Sequence, residues 1–163
     1  MKLWTGAVLL AGIAFTGVAS AKTCVAALEG NDAMQYNLKE IKVAGDCTEV
    51  KLTLKHTGKL PKAAMGHNVI ITKATDKDAV LADGIKAGVD KNYVTESDKI
   101  FGHTKLVGGG ESDTVTFSTK KMEKGEGKNV FVCSFPGHGA VMNGTFIVEA
   151  PAAGSTAKAT KKK

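Results

Sequence analysis

Short runs in which hydrophobic and polar residues alternate dominate the chain. The run VKLTLKH places Val50, Leu52, Leu54 and His56 on one face, with lysines and a threonine opposite. Similar runs occur at 68–74, 113–119, 128–135 and 144–150, and residues 34–43 form one further strand or two short ones. Alternation of this kind predicts half-buried strands, and glycine-rich and polar clusters separate them. The pattern therefore predicts an all-β protein, a sandwich or a barrel.

Two segments depart from this pattern. Residues 76–94 carry alanine and lysine at roughly helical spacing, interrupted by Gly84 and Gly88, which predicts one short helix with loops outside the sheets. Residues 151–163, PAAGSTAKATKKK, have almost nothing to bury and are predicted to be disordered. The folded domain is accordingly expected at 22–150.

The first residues have the form of a signal peptide. Lys2 supplies a positive charge, an apolar stretch follows at 7–18, and Ala19-Ser20-Ala21 matches a small-x-small cleavage site. A dozen apolar residues are too few to span a bilayer. We therefore expect residues 1–21 to be removed on export and the mature chain to contain no transmembrane segment. Export also implies an oxidising compartment, where cysteines can form disulfides.

The charge of the chain argues against binding to nucleic acid. The formal net charge is +6, from 22 lysines and 16 acidic residues with no arginine. Lys2 and the four lysines of the last six residues contribute five of these charges, which leaves residues 22–157 at +1. No arginine is present to bind guanine, and the sequence indicates no basic face on the domain.

Three cysteines remain after removal of the signal peptide, so at least one is not in an intramolecular disulfide. Cys24 and Cys47 lie near the starts of two early segments and are candidates to pair. Closing a loop of that length stabilises a fold by roughly 3 kcal/mol in the chain-entropy model. Cys133 would then be the free thiol.

The stretch VFVCSFPGHGAVMNG, residues 130–144, gathers soft metal ligands between two predicted strands. Cys133, His138 and Met142 have the spacing Cys-x4-His-x3-Met. Two imidazoles and a thiolate in one plane, with a weak thioether on the axis, suit both oxidation states of copper. Alternatively, Cys133 and Met142 are ordinary core residues.

A second histidine ligand has to come from elsewhere in the chain. His67 begins an apolar strand at a turn, where it could complete a site at one end of a sandwich. His56 ends the buried face of an earlier strand and fits a core histidine, whereas His103 is expected to face solvent. His67 is therefore the favoured candidate.

These residues resemble those of the azurins, blue copper proteins of the cupredoxin family. The similarity extends from Cys24 to about Val148, through MQYN, GKLPKAAMGHN, HTKL and CSFPGHGAVM. The resemblance implies a Greek-key β-sandwich with one copper ion near one end and a disulfide between Cys24 and Cys47. It also implies a one-electron carrier of the periplasm and not an enzyme.

The resemblance also implies roles for individual residues. His67, Cys133 and His138 would bind copper in the plane, Met142 on one axis, and the carbonyl of Gly66 weakly on the other. Asn68, Ser134 and Phe135 would hold the thiolate and its loop through hydrogen bonds, as outer ligand contacts commonly do.

In this family electrons pass through the edge of the histidine that matches His138, within an apolar surface patch. The matching residues here are Leu60, Ala64, Met65, Ile85, Pro136, Gly137, Ala140 and Val141. The implied partners are redox proteins such as c-type cytochromes and periplasmic oxidoreductases, contacted briefly by a monomer. Val69 stands where many azurins have a core tryptophan, and His56 matches a buried histidine that influences the redox behaviour of some azurins.

Two other functions can be compared with electron transfer. A copper oxidase or reductase would need a second metal or an open coordination position, and the sequence has no His-x-His pair. A periplasmic copper-binding and delivery protein is the alternative, although delivery sites typically use exposed clusters of methionine and histidine. Zinc could also occupy the same ligands, since affinity order alone does not exclude it.

Overall fold

The computed structural model describes residues 21–150. This part of the chain contains nine strands and two α-helices, joined by loops and short 3₁₀ turns. The strands are β1 (Thr23–Asn31), β2 (Gln35–Tyr36), β3 (Glu40–Val43), β4 (Glu49–His56), β5 (Ile70–Lys73), β6 (Ile100–His103), β7 (Ser112–Ser118), β8 (Asn129–Val132) and β9 (Asn143–Val148). The helices are α1 (Lys62–Met65) and α2 (Lys77–Ala87). The predicted signal peptide, except Ala21, and the predicted tail at 151–163 lie outside these residues.

The strands form two sheets, in the orders β2-β1-β4-β7 and β3-β9-β8-β5-β6. Most neighbours are antiparallel, but β1 pairs with β4 and β3 pairs with β9 in parallel. Parallel neighbours require a crossover between the sheets, which is what a Greek-key sandwich provides. The predicted all-β cupredoxin-like fold is confirmed.

The inner faces of the two sheets enclose the core. Val50, Leu52 and Leu54 of β4 are fully buried, as their alternation predicted. Across the sandwich, Phe117 of β7 meets Phe146 of β9 edge to face, with ring centroids 5.7 Å apart. Burial of such side chains is the main stabilising contribution, about 1.5–3 kcal/mol for each large apolar residue.

Strand β1 is an element that the hydrophobic pattern did not reveal. Its outward residue Val25 is 76% exposed, whereas the smaller Cys24 and Ala26 face the core. Residues 24–28 are all apolar, so no polar position marks the solvent face, although Leu28 is buried on the core face. The strand is instead defined by eight paired positions along β4, from Thr23 to Gly30.

The predicted helix is present, although it is shorter than the segment that suggested it. Helix α2 ends at Ala87, because Gly88 adopts a φ of 76° that favours glycine. Gly84 lies within the helix, and Val80 packs on Ile70 and Val132 of the adjacent sheet. Helix α1 adds a single turn before the start of β5. No helix between residues 21 and 150 is long and apolar enough to cross a membrane.

A disulfide joins Cys24 of β1 to Cys47, in the turn between β3 and β4. The two Cα atoms are 5.8 Å apart and the residues are 23 positions apart in sequence. Cys133 is a free, buried cysteine. The predicted pairing is confirmed.

The double variant Cys24→Ala/Cys47→Ala should unfold with a free energy about 3 kcal/mol lower than that of the parent protein, because its unfolded chain is no longer restrained. Denaturant titration of the metal-free proteins measures the difference. Val25→Ala provides a neighbouring control and should change stability little, since its side chain is largely in solvent. Equal stability of the double variant and the parent would contradict the expectation.

Candidate metal centre

The sheet topology brings three distant segments to one end of the sandwich. Cys133 follows the last residue of β8, and Met142 precedes the first residue of β9. Because β5 and β8 are antiparallel and Ile70 pairs with Val132, the start of β5 lies beside the end of β8. His67, three residues before β5, therefore meets the loop that carries His138.

His67, Cys133 and His138 form a compact cluster. Their candidate ligand atoms all lie within 4.8 Å of one another. The two Nδ1 atoms are 3.2 Å apart, and Cys133 Sγ lies 3.7 Å from Nδ1 of His138. His67 and Cys133 are fully buried, and His138 is only 3% exposed. One metal ion could therefore contact all three donors in an environment from which water is largely excluded.

The end of strand β1 orients the His67 ring. Nε2 of His67 lies 2.8 Å from the carbonyl oxygen of Asn31, so that Nδ1 faces the cluster. A Cβ atom at Gly30 would lie 2.7 Å from the His67 ring and 3.4 Å from Cε of Met142. Glycine at this position leaves room for both side chains.

One face of the His67 ring is covered by His56. The two rings stack with centroids 4.4 Å apart and an interplanar angle of 8°. His56 is fully buried, and both its ring nitrogens have partners: the Met65 carbonyl at 2.9 Å and the Gly58 N–H at 3.0 Å. It is the buried histidine that the sequence suggested, and it packs directly on a candidate ligand.

Asn68 fastens the segment before β5 to the ligand loop. Its Oδ1 accepts the Ser134 N–H at 2.9 Å, and its Nδ2 donates to Ser134 Oγ at 2.8 Å. The Ser134 hydroxyl in turn donates to the carbonyl of Tyr93 at 2.7 Å. The expected contact between Asn68 and Ser134 is therefore present, and it holds Cys133 from the adjacent position.

The loop itself is held closed by backbone bonds between candidate ligands. The Cys133 N–H donates to the carbonyl of Met142 at 3.0 Å, and the Met142 N–H donates to the carbonyl of His138 at 2.8 Å. The ring of Phe135 lies against His138, with centroids 4.5 Å apart. Each donor residue in the loop is therefore restrained by contacts that do not involve a metal.

Burial favours neutral forms of all three side chains. It raises the pKa of the Cys133 thiol to about 11, although hydrogen bonds to the sulfur from the N–H groups of Asn68 and Phe135 and from the Tyr36 hydroxyl oppose this effect. Burial, reinforced by the neighbouring His67 and His56, lowers the pKa of His138 to about 4. Burial also lowers the pKa of His67. Without a metal, the cluster at pH 7 is a thiol between two neutral imidazoles.

A thiolate and two neutral imidazoles fit a first-row transition metal with affinity for soft ligands, copper above all. The geometry agrees with comparisons to known proteins. The family described as copper binding proteins, plastocyanin/azurin family, matches residues 22–149. The chain belongs to this family.

Two azurins are similar to this chain over nearly their whole length, and one further relative is similar over two thirds of its length. An azurin of Alcaligenes faecalis is 52% identical over 123 residues, 75% of this chain and 95% of that protein. Outer membrane protein H.8 of Neisseria meningitidis is 51% identical over 125 residues, 76% of this chain and 67% of that protein. The solved structure of azurin Az-iso2 from Methylomonas sp. strain J superposes with a TM-score of 0.73 at 33% identity, covering 78% of this chain and 98% of that one.

Membership in the family identifies the cofactor and the general function. The protein is a copper-binding cupredoxin of the azurin type, an electron carrier and not an enzyme. His67, Cys133 and His138 are arranged as its metal site. The thiolate and the imidazoles are the groups that would hold copper, which supplies the one-electron chemistry.

The bonding of two further predicted ligands, Met142 and Gly66, remains a prediction. The Met142 side chain is fully buried and approaches Gly30 beside the His67 ring. Gly66 directly precedes His67, and a Cβ atom there would lie 2.9 Å from side-chain atoms of Leu106. His103 is half-buried, with Nδ1 3.2 Å from the Thr104 carbonyl, and is not part of the cluster.

The residues of the predicted docking patch come from helix α2, from the ligand loop and from the segment that leads to His67. Ile85 of α2 lines a hollow of about 180 Å³ together with Pro136, Gly137 and Ala140. Val141 is 51% exposed on the same loop. Leu60 is 41% exposed and Ala64 is exposed, while Met65 is partly buried; these three lie in the segment that leads to His67.

Several residues that shape the site were not found from the sequence. They are Gly30, Asn31, Tyr36, Asn92 and Tyr93, which act through backbone atoms, through the lack of a side chain or through a single hydroxyl or amide. Asn92, for example, has a φ of 54°, and its carbonyl accepts the Asn68 Nδ2 at 2.8 Å. Asn92 has a left-handed backbone conformation after a short helical turn. Asparagine adopts this conformation more readily than most residues, so its residue type was a signal for such a turn.

Binding of one Cu(II) ion at pH 7 should release one proton, from Cys133. Because the pKa of this thiol is raised to about 11, it is protonated in the metal-free protein, and copper binds the thiolate. His138, with its pKa near 4, has no proton to lose at this pH. A dilute buffer with an indicator dye measures the release, and the Cys133→Ser titration is subtracted. Release of two protons, or of none, would contradict the described protonation states.

Proposed function

We propose that this protein is a periplasmic one-electron carrier with a single type 1 copper centre, moving electrons between redox proteins. His67, Cys133 and His138 bind the metal in a plane, Met142 lies on one axis and the carbonyl of Gly66 lies weakly on the other. The observation that carries the proposal is the buried cluster of a thiol and two imidazoles, held by hydrogen bonds independent of the metal.

This arrangement suits rapid change of oxidation state. A carrier has to keep nearly the same geometry in Cu(I) and Cu(II), since each displacement adds to the activation energy. The ligand loop is braced through Asn68 and Ser134, and His67 is held between Asn31 and His56. Ligands restrained in this way move little when the charge on the metal changes.

Electrons enter and leave through the apolar patch around His138. Phe135 covers one side of the His138 ring, and Pro136 and Gly137 are exposed beside it. Small and mainly apolar surfaces support short-lived complexes, which a carrier needs in order to release each partner. We infer that its partners are c-type cytochromes and periplasmic oxidoreductases, and that the protein is a monomer between encounters.

The location follows from the signal-like N-terminus and agrees with the disulfide. A bond between Cys24 and Cys47 forms and persists in an oxidising compartment. One relative is named an outer membrane protein, so fractionation of cells into periplasm and outer membrane is the appropriate test of location. Recovery of the protein in the cytoplasm would contradict the proposal.

Copper delivery is the alternative function. Delivery requires ligands that a partner protein can reach and exchange, whereas His67, Cys133 and Met142 are fully buried. A slow copper off-rate in the presence of a competing chelator supports electron transfer. Rapid transfer of copper to a metal-free partner would support delivery.

Addition of Cu(II) to the mature protein should produce an intense blue absorption band, from charge transfer between the Cys133 thiolate and copper. Cys133→Ser should lack this band, whereas Met142→Leu should keep it, since an axial thioether bonds weakly. Visible spectra of the three proteins provide the measurement. A pale complex in the parent protein would exclude thiolate binding to Cu(II) in this geometry.

Val141→Asp should slow electron self-exchange between two copies of the protein. Contact through the patch would bring two carboxylates together, and like charges about 4 Å apart in water repel by about 1 kcal/mol, roughly a fivefold decrease in rate. Line broadening in NMR spectra of partly oxidised protein measures the exchange. Val25→Asp, at a position 76% exposed on β1, is the matched control and should exchange like the parent. Equal rates for both variants would exclude this docking surface.

A further inference from the structure

The core next to the metal centre contains a tyrosine hydroxyl to which the sequence assigned no role. Tyr36 of β2 is only 4% exposed, and its ring packs on Phe131 of β8 with centroids 5.6 Å apart. Its hydroxyl donates a hydrogen bond to the carbonyl oxygen of Asn68. This bond joins two residues that are 32 positions apart in sequence.

The carbonyl of Asn68 depends on this donor. Asn68 is fully buried and lies just outside the paired residues of β5. No backbone N–H within residues 21–150 donates to its carbonyl, although His67 and Val69 on either side both have backbone partners. A buried carbonyl without a donor is unfavourable, so the Tyr36 hydroxyl satisfies a group that water does not reach.

Asn68 is also the residue that links the two halves of the ligand set. It follows His67 directly, its N–H hydrogen-bonds to the Cys133 sulfur, and its side chain holds Ser134. The hydroxyl of Tyr36 fixes the remaining polar group of Asn68, its carbonyl. Loss of that contact would remove one restraint on the backbone of residue 68, whose side chain stays bonded to Ser134 and Asn92, and would allow its N–H to shift relative to the sulfur.

We propose that Tyr36 is a positioning residue of the copper centre: its hydroxyl holds the backbone of Asn68 in place and thereby raises the reduction potential. This inference rests on the proposed ligation by Cys133. Hydrogen bonds to a ligand sulfur withdraw electron density from it and so favour Cu(I) over Cu(II). A weaker N–H···S contact returns electron density to copper and favours Cu(II), which lowers the reduction potential.

The test compares Tyr36→Phe with Tyr93→Phe. Phenylalanine keeps the packing on Phe131 and removes only the hydroxyl. Tyr93 is the other tyrosine of the chain and also lies near the site, edge-on to Phe135 at 5.5 Å, and its carbonyl contact with Ser134 does not need its hydroxyl. Voltammetry and visible spectra should show a lower potential and a shifted charge-transfer band for Tyr36→Phe, and parent values for Tyr93→Phe.

Hydrogen exchange of the metal-free protein provides a measurement that does not involve copper. The Asn68 amide proton should exchange faster with solvent deuterium in Tyr36→Phe than in Tyr93→Phe, since residue 68 is less restrained. Faster exchange at this amide with a shifted potential supports the proposal. A shifted potential with unchanged exchange would overturn it, since the Tyr36 hydroxyl would then act on the Cys133 sulfur directly. An unchanged potential and band in a folded Tyr36→Phe protein would overturn it and reduce Tyr36 to a packing role.

A second variant covers the case in which Tyr36→Phe does not fold. In the Tyr93→Phe protein, Tyr36 is the only tyrosine left, so growth on 3,5-difluorotyrosine changes the donor strength of this hydroxyl alone. The potential should shift in the direction opposite to that of Tyr36→Phe, because the donor is stronger; an unchanged potential overturns the proposal.

The outcomes also separate this inference from the proposed function. Absence of a blue band in the parent protein would refute the copper ligation itself. A blue parent protein whose potential is insensitive to the Tyr36 hydroxyl would refute only the role of Tyr36.

Discussion

The structure depends on the burial of a thiol between two imidazoles at one end of a β-sandwich. Removing such polar groups from water is unfavourable unless they are neutral or paired. The protein meets this condition by keeping Cys133 and both histidines uncharged and by giving each a fixed neighbour. The same burial that stabilises the neutral thiol also excludes water from a bound metal. A bound metal would therefore enter a site that the protein's own contacts already form.

The scaffold supplies this rigidity through its topology. The loop between β8 and β9 carries Cys133, His138 and Met142, and it is closed by backbone bonds among these residues. The histidine from the other segment is clamped by contacts with β1 and with His56. Strands β5 and β8 are neighbours inside one sheet. They therefore fix the separation of His67 and His138, which are 71 residues apart in sequence. Function follows from this rigidity, since a one-electron carrier works best when its ligands move little.

Local patterns predicted much of this site, and long-range contacts account for what they missed. Three donors fall on one loop, so their spacing alone indicated a metal. His67 differs from His56 and His103 in its position at the start of an apolar strand, and this position made it the favoured ligand. The hydrophobic pattern did not predict strand β1 because residues 24–28 are all apolar, and exposed Val25 cannot be told from buried Leu28 by polarity. Gly30, Asn31 and Tyr36 act through one atom or through the absence of one, and hydrophobic periodicity carries no information on such contacts.

A preformed site is the central claim of this account, and paired crystal structures test it most directly. The measurement is the displacement of Sγ of Cys133 and Nδ1 of His67 and His138 among the metal-free, Cu(I) and Cu(II) forms in one crystal form. The account predicts that these atoms superpose within about 0.5 Å, the tolerance expected of a preorganised site. A loop that swings outward without copper, or a histidine that leaves the metal in Cu(I), would contradict it.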